Sequence, residues 1–349
     1  MHVHQESMIQ MLTHFFLGFL LFAVSVFGKP VTLSEVREVV HALLADWDRQ
    51  MQIEKIEARY LPGSELGYYM VELGQGGWVM VSGDDVMRPL LAFSFDNRLS
   101  PETEWNDAAR YLLDLYRKEI AHAIKNPELQ RDVRWDRLEL PSATKSVSAD
   151  PIEPFIDVTW DQGSGWNMFC PSDEEGPGDR AYIGCVAVSM AQAMTVYEYP
   201  ARPEGIKSYV HDVYGSIAVN YNMADPYEWE EMSPTSPDSF NAILLYHCAV
   251  AVEMDFGPDG SGAYVRNAGS AMHEYFSYSP QMSFRNRIAD SDQWEALLAD
   301  ELAAGRPIIY RGVNDEGGHA WNIDGYYDMN GESFFHMNFG WSGSQNGYY

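Results

Sequence analysis

The chain changes character at Trp160, and that break limits it to architectures with two separate cores. Before it, helical and strand patterns alternate in short segments; after it, Gly, Trp and Tyr become dense. At 349 residues and 46% hydrophobic content, the chain exceeds one small core and suits two domains of ordinary size. The first regular segment begins at Thr32, which has capping-box spacing to Glu35. Val36, Val39, Val40, Leu43, Leu44 and Trp47 then recur at helical spacing and predict one apolar face. After the Pro62-Gly63 turn, strands are expected at Tyr68–Leu73, Trp78–Ser82 and Pro89–Phe95. A second helix is predicted over 105–125, with Ala108, Tyr111, Leu112, Leu115, Ile120 and Ala123 as its apolar positions and Asn126-Pro127 as its stop. Residues 127–150 are polar, hold little that could build a core, and read as an accessible connection.

Lys+Arg is 23 against Asp+Glu 51, a formal net charge of -28. Such a surface repels nucleic acid and anionic lipid, so neither is expected as a partner. The apolar run from Phe15 to Phe27 is too short for a comfortable membrane span, which takes ~20 residues. With Val26 and Gly28 ahead of Lys29-Pro30, it reads as a secretory signal peptide, although no Lys or Arg precedes it. The three cysteines, Cys170, Cys185 and Cys248, leave at least one thiol unpaired. Cys170 and Cys248 are left open between a disulfide and two buried small residues.

In the C-terminal part a helix is predicted from Cys185 to about Glu198, and another over Asp292–Ala304 with Ser291 as N-cap. Strands are expected at Pro307–Arg311, His319–Tyr326 and Ser333–Asn338. Cys185 follows Gly184 at the first turn of its helix, where free N–H groups and the helix dipole favour a thiolate. Glycine there also lets backbone approach closely, as a substrate carbonyl requires. His319 follows Gly317-Gly318 at the start of an alternating strand and can face a cleft. A thiolate is a stronger nucleophile than water, and a histidine can hold it and protonate a leaving amine. Asp84-Asp85 read as turn residues, and His211 and His273 lack metal-ligand partners at useful spacing, so no metal or other cofactor is expected.

The segments Trp160-Asp161-Gln162, Cys170-Pro171, Gly184-Cys185-Val186-Ala187, Gly317-Gly318-His319-Ala320 and Asn338-Phe339-Gly340-Trp341-Ser342-Gly343, in this order, resemble the streptopain family of cysteine peptidases. Gly77-Trp78-Val79-Met80-Val81-Ser82-Gly83-Asp84-Asp85 is similar to the family's propeptide. The resemblance implies an α+β architecture: a papain-like catalytic domain preceded by a small α+β propeptide. It implies Cys185 as nucleophile, His319 as its base, and Gln162 as oxyanion-hole donor beside the Cys185 N–H. Asn338 and Trp341 would orient and shield the imidazole. The family usually has tryptophan where this chain has Phe339, which keeps an apolar wall and loses an indole donor.

On this reading the chain divides into a signal peptide (1–28), a propeptide or inhibitor-like domain (29–126), a linker carrying the maturation site (127–155), and the catalytic domain (156–349). The cut is expected between Arg131 and Ile156. Family members continue beyond Tyr349, so a catalytic domain cut short at its C-terminal end is expected. The expected function is a secreted endopeptidase made as a zymogen. Its partners would be protein or peptide substrates and its own propeptide, with no membrane association once the signal is removed. A degenerate inhibitor-like protein and an amidase acting on cell-wall peptides stand as alternatives.

Overall fold

The computed structural model describes residues 28–98, 100–102, 105–126, 128–138, 150–313 and 317–349; the expected signal peptide lies almost wholly outside them. Helix α1 (Leu33–Asp46) starts on the capping box read from the sequence. The Glu35 N–H donates to Thr32 Oγ1 at 3.3 Å, and the Thr32 N–H donates to Glu35 Oε2 at 2.8 Å. Its apolar stripe (Val36, Val39, Val40, Leu43, Leu44) is buried against one face of an antiparallel meander. The meander comprises β1 (Ile53–Tyr60), β2 (Leu66–Leu73), β3 (Trp78–Ser82) and β4 (Leu90–Ser94). β1 is absent from the sequence reading because it is an edge strand. Its Lys55, Glu57 and Arg59 pair with one another at the rim, so no apolar alternation marks it.

Helix α2 (Asp107–Lys125) covers the other face of this sheet, with Asn106 Oδ1 capping the Ala109 N–H at 2.9 Å. The helix is where the sequence places it, and Ile120 and Ala123 are buried as expected, but in its first half the buried face is turned by about one residue. Ala109, Leu113 and Tyr116 are buried, whereas Tyr111 is exposed. Ala108 and Leu112 only flank the core. The connection that follows is also more structured than its polar composition suggests. Helix α3 (Val133–Leu138) buries Trp135 beneath α1, and Arg131 pairs with Asp85 at 3.0 Å. One large aromatic and one buried ion pair anchor a segment that counting apolar residues misses.

The C-terminal part continues the same sheet. Its strands β7 (Ile308–Val313), β8 (Gly318–Asp328), β9 (Ser333–Asn338) and β10 (Gly347–Tyr348) complete the order β1-β2-β3-β4-β10-β9-β8-β7. β10 is the seam: Tyr348 pairs with Phe93 of β4 on one side and His336 of β9 on the other. The Tyr348 and Phe93 rings stack at 4.7 Å, and the Tyr348 hydroxyl donates to the Ile152 carbonyl at 2.9 Å. Further links cross the seam. Arg49 pairs with Glu153 at 2.9 Å, Tyr327 donates to Asp46 at 2.9 Å, and Glu332 pairs with both Arg88 and Arg134.

Against β8 lies α4 (Cys185–Thr195), apolar nearly all round and buried accordingly. α5 (Ser239–Ala251) and α6 (Arg266–Phe276) pack around it, and the hairpin β5 (Ile206–His211) and β6 (Gly215–Asn220) lies at the periphery. Helix α7 (Ser291–Ala303) takes Asp290 as its N-cap, one residue before the expected Ser291; Asp290 Oδ1 accepts from the Gln293 N–H. Cys170 and Cys248 are both buried free thiols; Cys248 lies 3.8 Å from the Met194 sulfur.

Phe93 contacts Trp47, Phe95, Tyr327, Phe334 and Tyr348 and is fully buried at the seam. Phe93→Ala is expected to destabilise the full chain by about 3–5 kcal/mol. Chemical denaturation checks this; a loss below about 1 kcal/mol would mean the seam carries little of the stability.

Candidate active site

Cys185 begins α4 because the chain must turn sharply at Gly184. Gly184 sits at φ 93°, and a Cβ there would lie 2.5 Å from the Met254 sulfur. The Ala187 and Val188 N–H groups donate to the Gly184 carbonyl at 3.1 and 3.2 Å, closing the first turn. The thiol therefore projects at the helix start, towards β8. There the Ala320 N–H donates to Cys185 Sγ at 3.4 Å. Residues 185 and 319, far apart in sequence, are thus brought to one place by a backbone contact from the residue after the histidine.

The His319 ring is fixed by its surroundings. Nε2 lies 2.8 Å from the Phe339 carbonyl, which can only accept, so the proton sits on Nε2 and Nδ1 is left as the free ring acceptor. Two indoles lie nearly parallel to the ring: Trp321 at 6.1 Å and 17°, Trp341 at 6.2 Å and 21°. Among the described residues no hydrogen bond joins the thiol to the imidazole. Burial pushes the Cys185 thiol up, although N–H groups from Ala320, Val186 and Cys185 itself pull the other way. Burial pulls His319 down, against the Phe339 carbonyl and the charge of Asp107. Burial thus works against the helix-start thiolate expected from the sequence, while the local N–H donors favour it.

Gln162 is buried, and its side-chain Nε2 has no hydrogen-bond partner. Its carbonyl accepts from the Ile183 N–H at 3.0 Å, which holds it beside the approach to Cys185. The Asp161 carboxylate takes the N–H groups of Gln162 and Gly163 on one oxygen and the Ser342 hydroxyl on the other. This ties the Gln162 segment to the loop carrying Trp341.

Among the described residues Asn338 makes no hydrogen bond to the imidazole. Its Nδ2 donates to the Val158 carbonyl at 2.9 Å, and its Oδ1 accepts from Gln192 and from the Gly340 N–H, both at 3.3 Å. The residue after it, Phe339, supplies the carbonyl that meets His319 Nε2. Phe339 is fully buried against Trp321 at 5.9 Å and Tyr349 at 5.7 Å. Two features escaped the sequence reading. Trp321 follows His319 by two on one strand, so period-two alternation signalled a shared face. The Phe339 carbonyl is backbone and leaves no signature in residue type.

The N-terminal part lies against this site. The Asn106 N–H donates to Gln345 Oε1 at 3.1 Å, Gln345 Nε2 donates to Ser100 at 2.7 Å, and Asn97 donates to the Asn346 carbonyl at 3.0 Å. Asn346 in turn accepts from the Phe339 N–H at 3.0 Å. The start of α2 is therefore coupled to the loop that holds the imidazole.

Residues 160–349 match the model of the peptidase C10 family, and residues 29–120 match that of the Spi protease inhibitor. Streptopain of Streptococcus pyogenes is 28% identical over 315 residues, spanning 83% of this chain and 74% of that protein. The thiol protease/hemagglutinin PrtT of Porphyromonas gingivalis is 27% identical over 285 residues, 78% of this chain and 32% of that protein. Among solved structures, a fragment of Prevotella intermedia prointerpain A superposes with a TM-score of 0.65 at 27% identity, covering 84% of this chain and 91% of that one. Active interpain A of the same organism gives a TM-score of 0.51 at 29% identity, covering 60% and 89%. With an inhibitor-type propeptide ahead of a catalytic domain that carries the whole family match, the chain belongs to the peptidase C10 family of cysteine peptidases.

Proposed function

We propose that this chain is the precursor of a secreted endopeptidase in which Cys185 and His319 form the reacting dyad. The observation that carries this reading is the 3.4 Å contact between the Ala320 N–H and Cys185 Sγ, which sets the imidazole-bearing strand against the thiol. In the working enzyme the thiol proton passes to His319 Nδ1, while Phe339 keeps Nε2–H oriented. The thiolate attacks the scissile carbonyl carbon, and the C=O π electrons move to oxygen. The Cys185 N–H and Gln162 Nε2 donate to that oxyanion; Gln162 Nε2 suits the role because it is buried and unspent. Such a donor is commonly worth about 3–4 kcal/mol in the transition state. Collapse breaks the C–N bond, His319 protonates the leaving amine, and a thioester remains on Cys185. Water, deprotonated by His319, then attacks the thioester, and its collapse releases the acid and restores the thiol.

The propeptide-covered form supports a latent state. Its thiol and imidazole are both biased towards neutrality, and the start of α2 sits on the loop behind the imidazole. Maturation would cut between Arg131 and Ile156, within the proposed 127–155 linker. The flanks are held: Trp135 is buried, and the Ile152 N–H donates to the Tyr326 carbonyl at 2.8 Å. Residues 139–149, inside that interval, lie outside the described residues. Export rests on the apolar run Phe15–Phe27, read as a signal peptide over 1–28. Substrates would be proteins or peptides.

Cys185→Ala should abolish casein hydrolysis and labelling by a thiol-directed epoxide while leaving the fold intact. Gln162→Ala should keep labelling but lower kcat roughly 10²–10³-fold. Wild-type labelling without proteolysis would favour amide chemistry on another substrate, and no labelling a degenerate domain. In the uncut chain, iodoacetamide should alkylate Cys185 slowly at pH 7 and faster only as pH rises past the ordinary thiol range, since the raised pKa keeps the thiolate scarce below it. Processed enzyme should react readily at pH 7; equal rates in the two forms would contradict latency by covering. Gly184→Ala should lower kcat by about 10²-fold or more, because a Cβ is strained at φ 93°, also meets the Met254 side chain, and so displaces the nucleophile. A wild-type kcat in this variant would show that the turn tolerates the strain.

A further inference from the structure

Behind the two reacting side chains runs a chain of three buried amides. Asn322 Nδ2 donates to the Ser189 carbonyl and to Gln192 Oε1, each at 3.1 Å. Gln192 Nε2 donates to Asn338 Oδ1 at 3.3 Å, and Asn338 Nδ2 donates to the Val158 carbonyl at 2.9 Å. Asn322 and Gln192 are fully buried, and Asn338 nearly so. Each amide sits on an element that carries part of the site. Gln192 is seven residues after Cys185 on α4, two turns along one helix face and about 10 Å away along the axis. Asn322 lies on the α4-facing side of β8 with Ala320, whose N–H meets Sγ. Asn338 pairs with Asn322 across β8–β9 and precedes the carbonyl that holds His319 Nε2. Val158 stands four residues before Gln162.

Stability alone does not account for this chain. The rest of α4 is packed with Val186, Ala187, Val188, Met190, Ala191 and Met194, and an apolar residue at 192 would extend that core. Buried amides cost desolvation, and Asn322 Oδ1 remains without a hydrogen-bond partner. What the amides add is direction. An apolar helix can slide or roll on an apolar strand with little penalty, whereas these hydrogen bonds fix its register.

We infer that Gln192 is a positioning residue for peptide hydrolysis, setting the register of the Cys185 helix against both the His319 strand and the Phe339 carbonyl. The inference rests on the Cys185–His319 reading and adds a residue to it. The test uses the full chain, matured by its own processing or by added wild-type enzyme, with active sites titrated by a thiol-directed epoxide so that only folded sites are counted. Gln192→Met keeps the length and removes both hydrogen bonds; Gln192→Glu keeps the acceptor for Asn322 and loses the donor to Asn338. Per titrated site, kcat on labelled casein should fall roughly 10²-fold in Gln192→Met with KM changed less than about twofold, and less steeply in Gln192→Glu. The pH profile of Cys185 alkylation should move to higher pH in both variants, as the thiolate loses its aligned imidazole. Unchanged kcat and pH profile in both, with only a lower melting temperature, would overturn the inference and leave Gln192 as packing. Should Gln192→Met fail to fold, Gln192→Glu decides by the same two readouts. Wild-type enzyme that cannot be titrated would instead refute the site reading itself.

Discussion

The site depends on an apolar helix lying against one strand of a sheet. Because α4 is buried nearly all round, its first residue is delivered to a fixed point on β8, and the Ala320 N–H meets the Cys185 sulfur there. Every other feature of the site is a consequence of that docking or a support for it. Gly184 permits the turn, Phe339 and the flanking indoles fix the imidazole, and the buried amides set the register.

The sheet that carries β8 is shared with the propeptide. Its strand order runs unbroken through β4 and β10, so the inhibitory part is built into the same hydrogen-bonded ladder as the catalytic part. Two opposed faces of this sheet are covered by α1 and by α2 with α7. Burial of Cys185 and His319 disfavours both thiolate and imidazolium, and each shift works against an ion pair.

Local patterns were legible in the sequence; long-range partners were not. The capping box at Thr32, the strands at Trp78 and His319, and the helix opening at Cys185 each follow from short-range spacing. Helix α5 was missed because Ala242, Leu244, Leu245, Cys248, Ala249 and Val250 are buried on all sides, leaving no amphipathic period to detect. The β5–β6 hairpin was missed because Ile206 and Val210 point to solvent, contrary to the usual alternation. In α2, Tyr111 carries a helical apolar period as well as Tyr116 does, and only the tertiary contact decides which is buried. Within the site, side chains in contiguous motifs could be named. The Phe339 carbonyl and the amide relay could not, since one is backbone and the other joins residues 192, 322 and 338.

The central claim is that Cys185 and His319 act as one unit once the propeptide is gone. Thiolate absorbance near 240 nm, followed against pH in processed enzyme and in processed His319→Ala, tests it most directly. The account predicts that wild-type enzyme develops the thiolate signal well below the free-cysteine pKa of about 8.5, and that His319→Ala does so only near or above it. Superimposable titrations in the two proteins would contradict it.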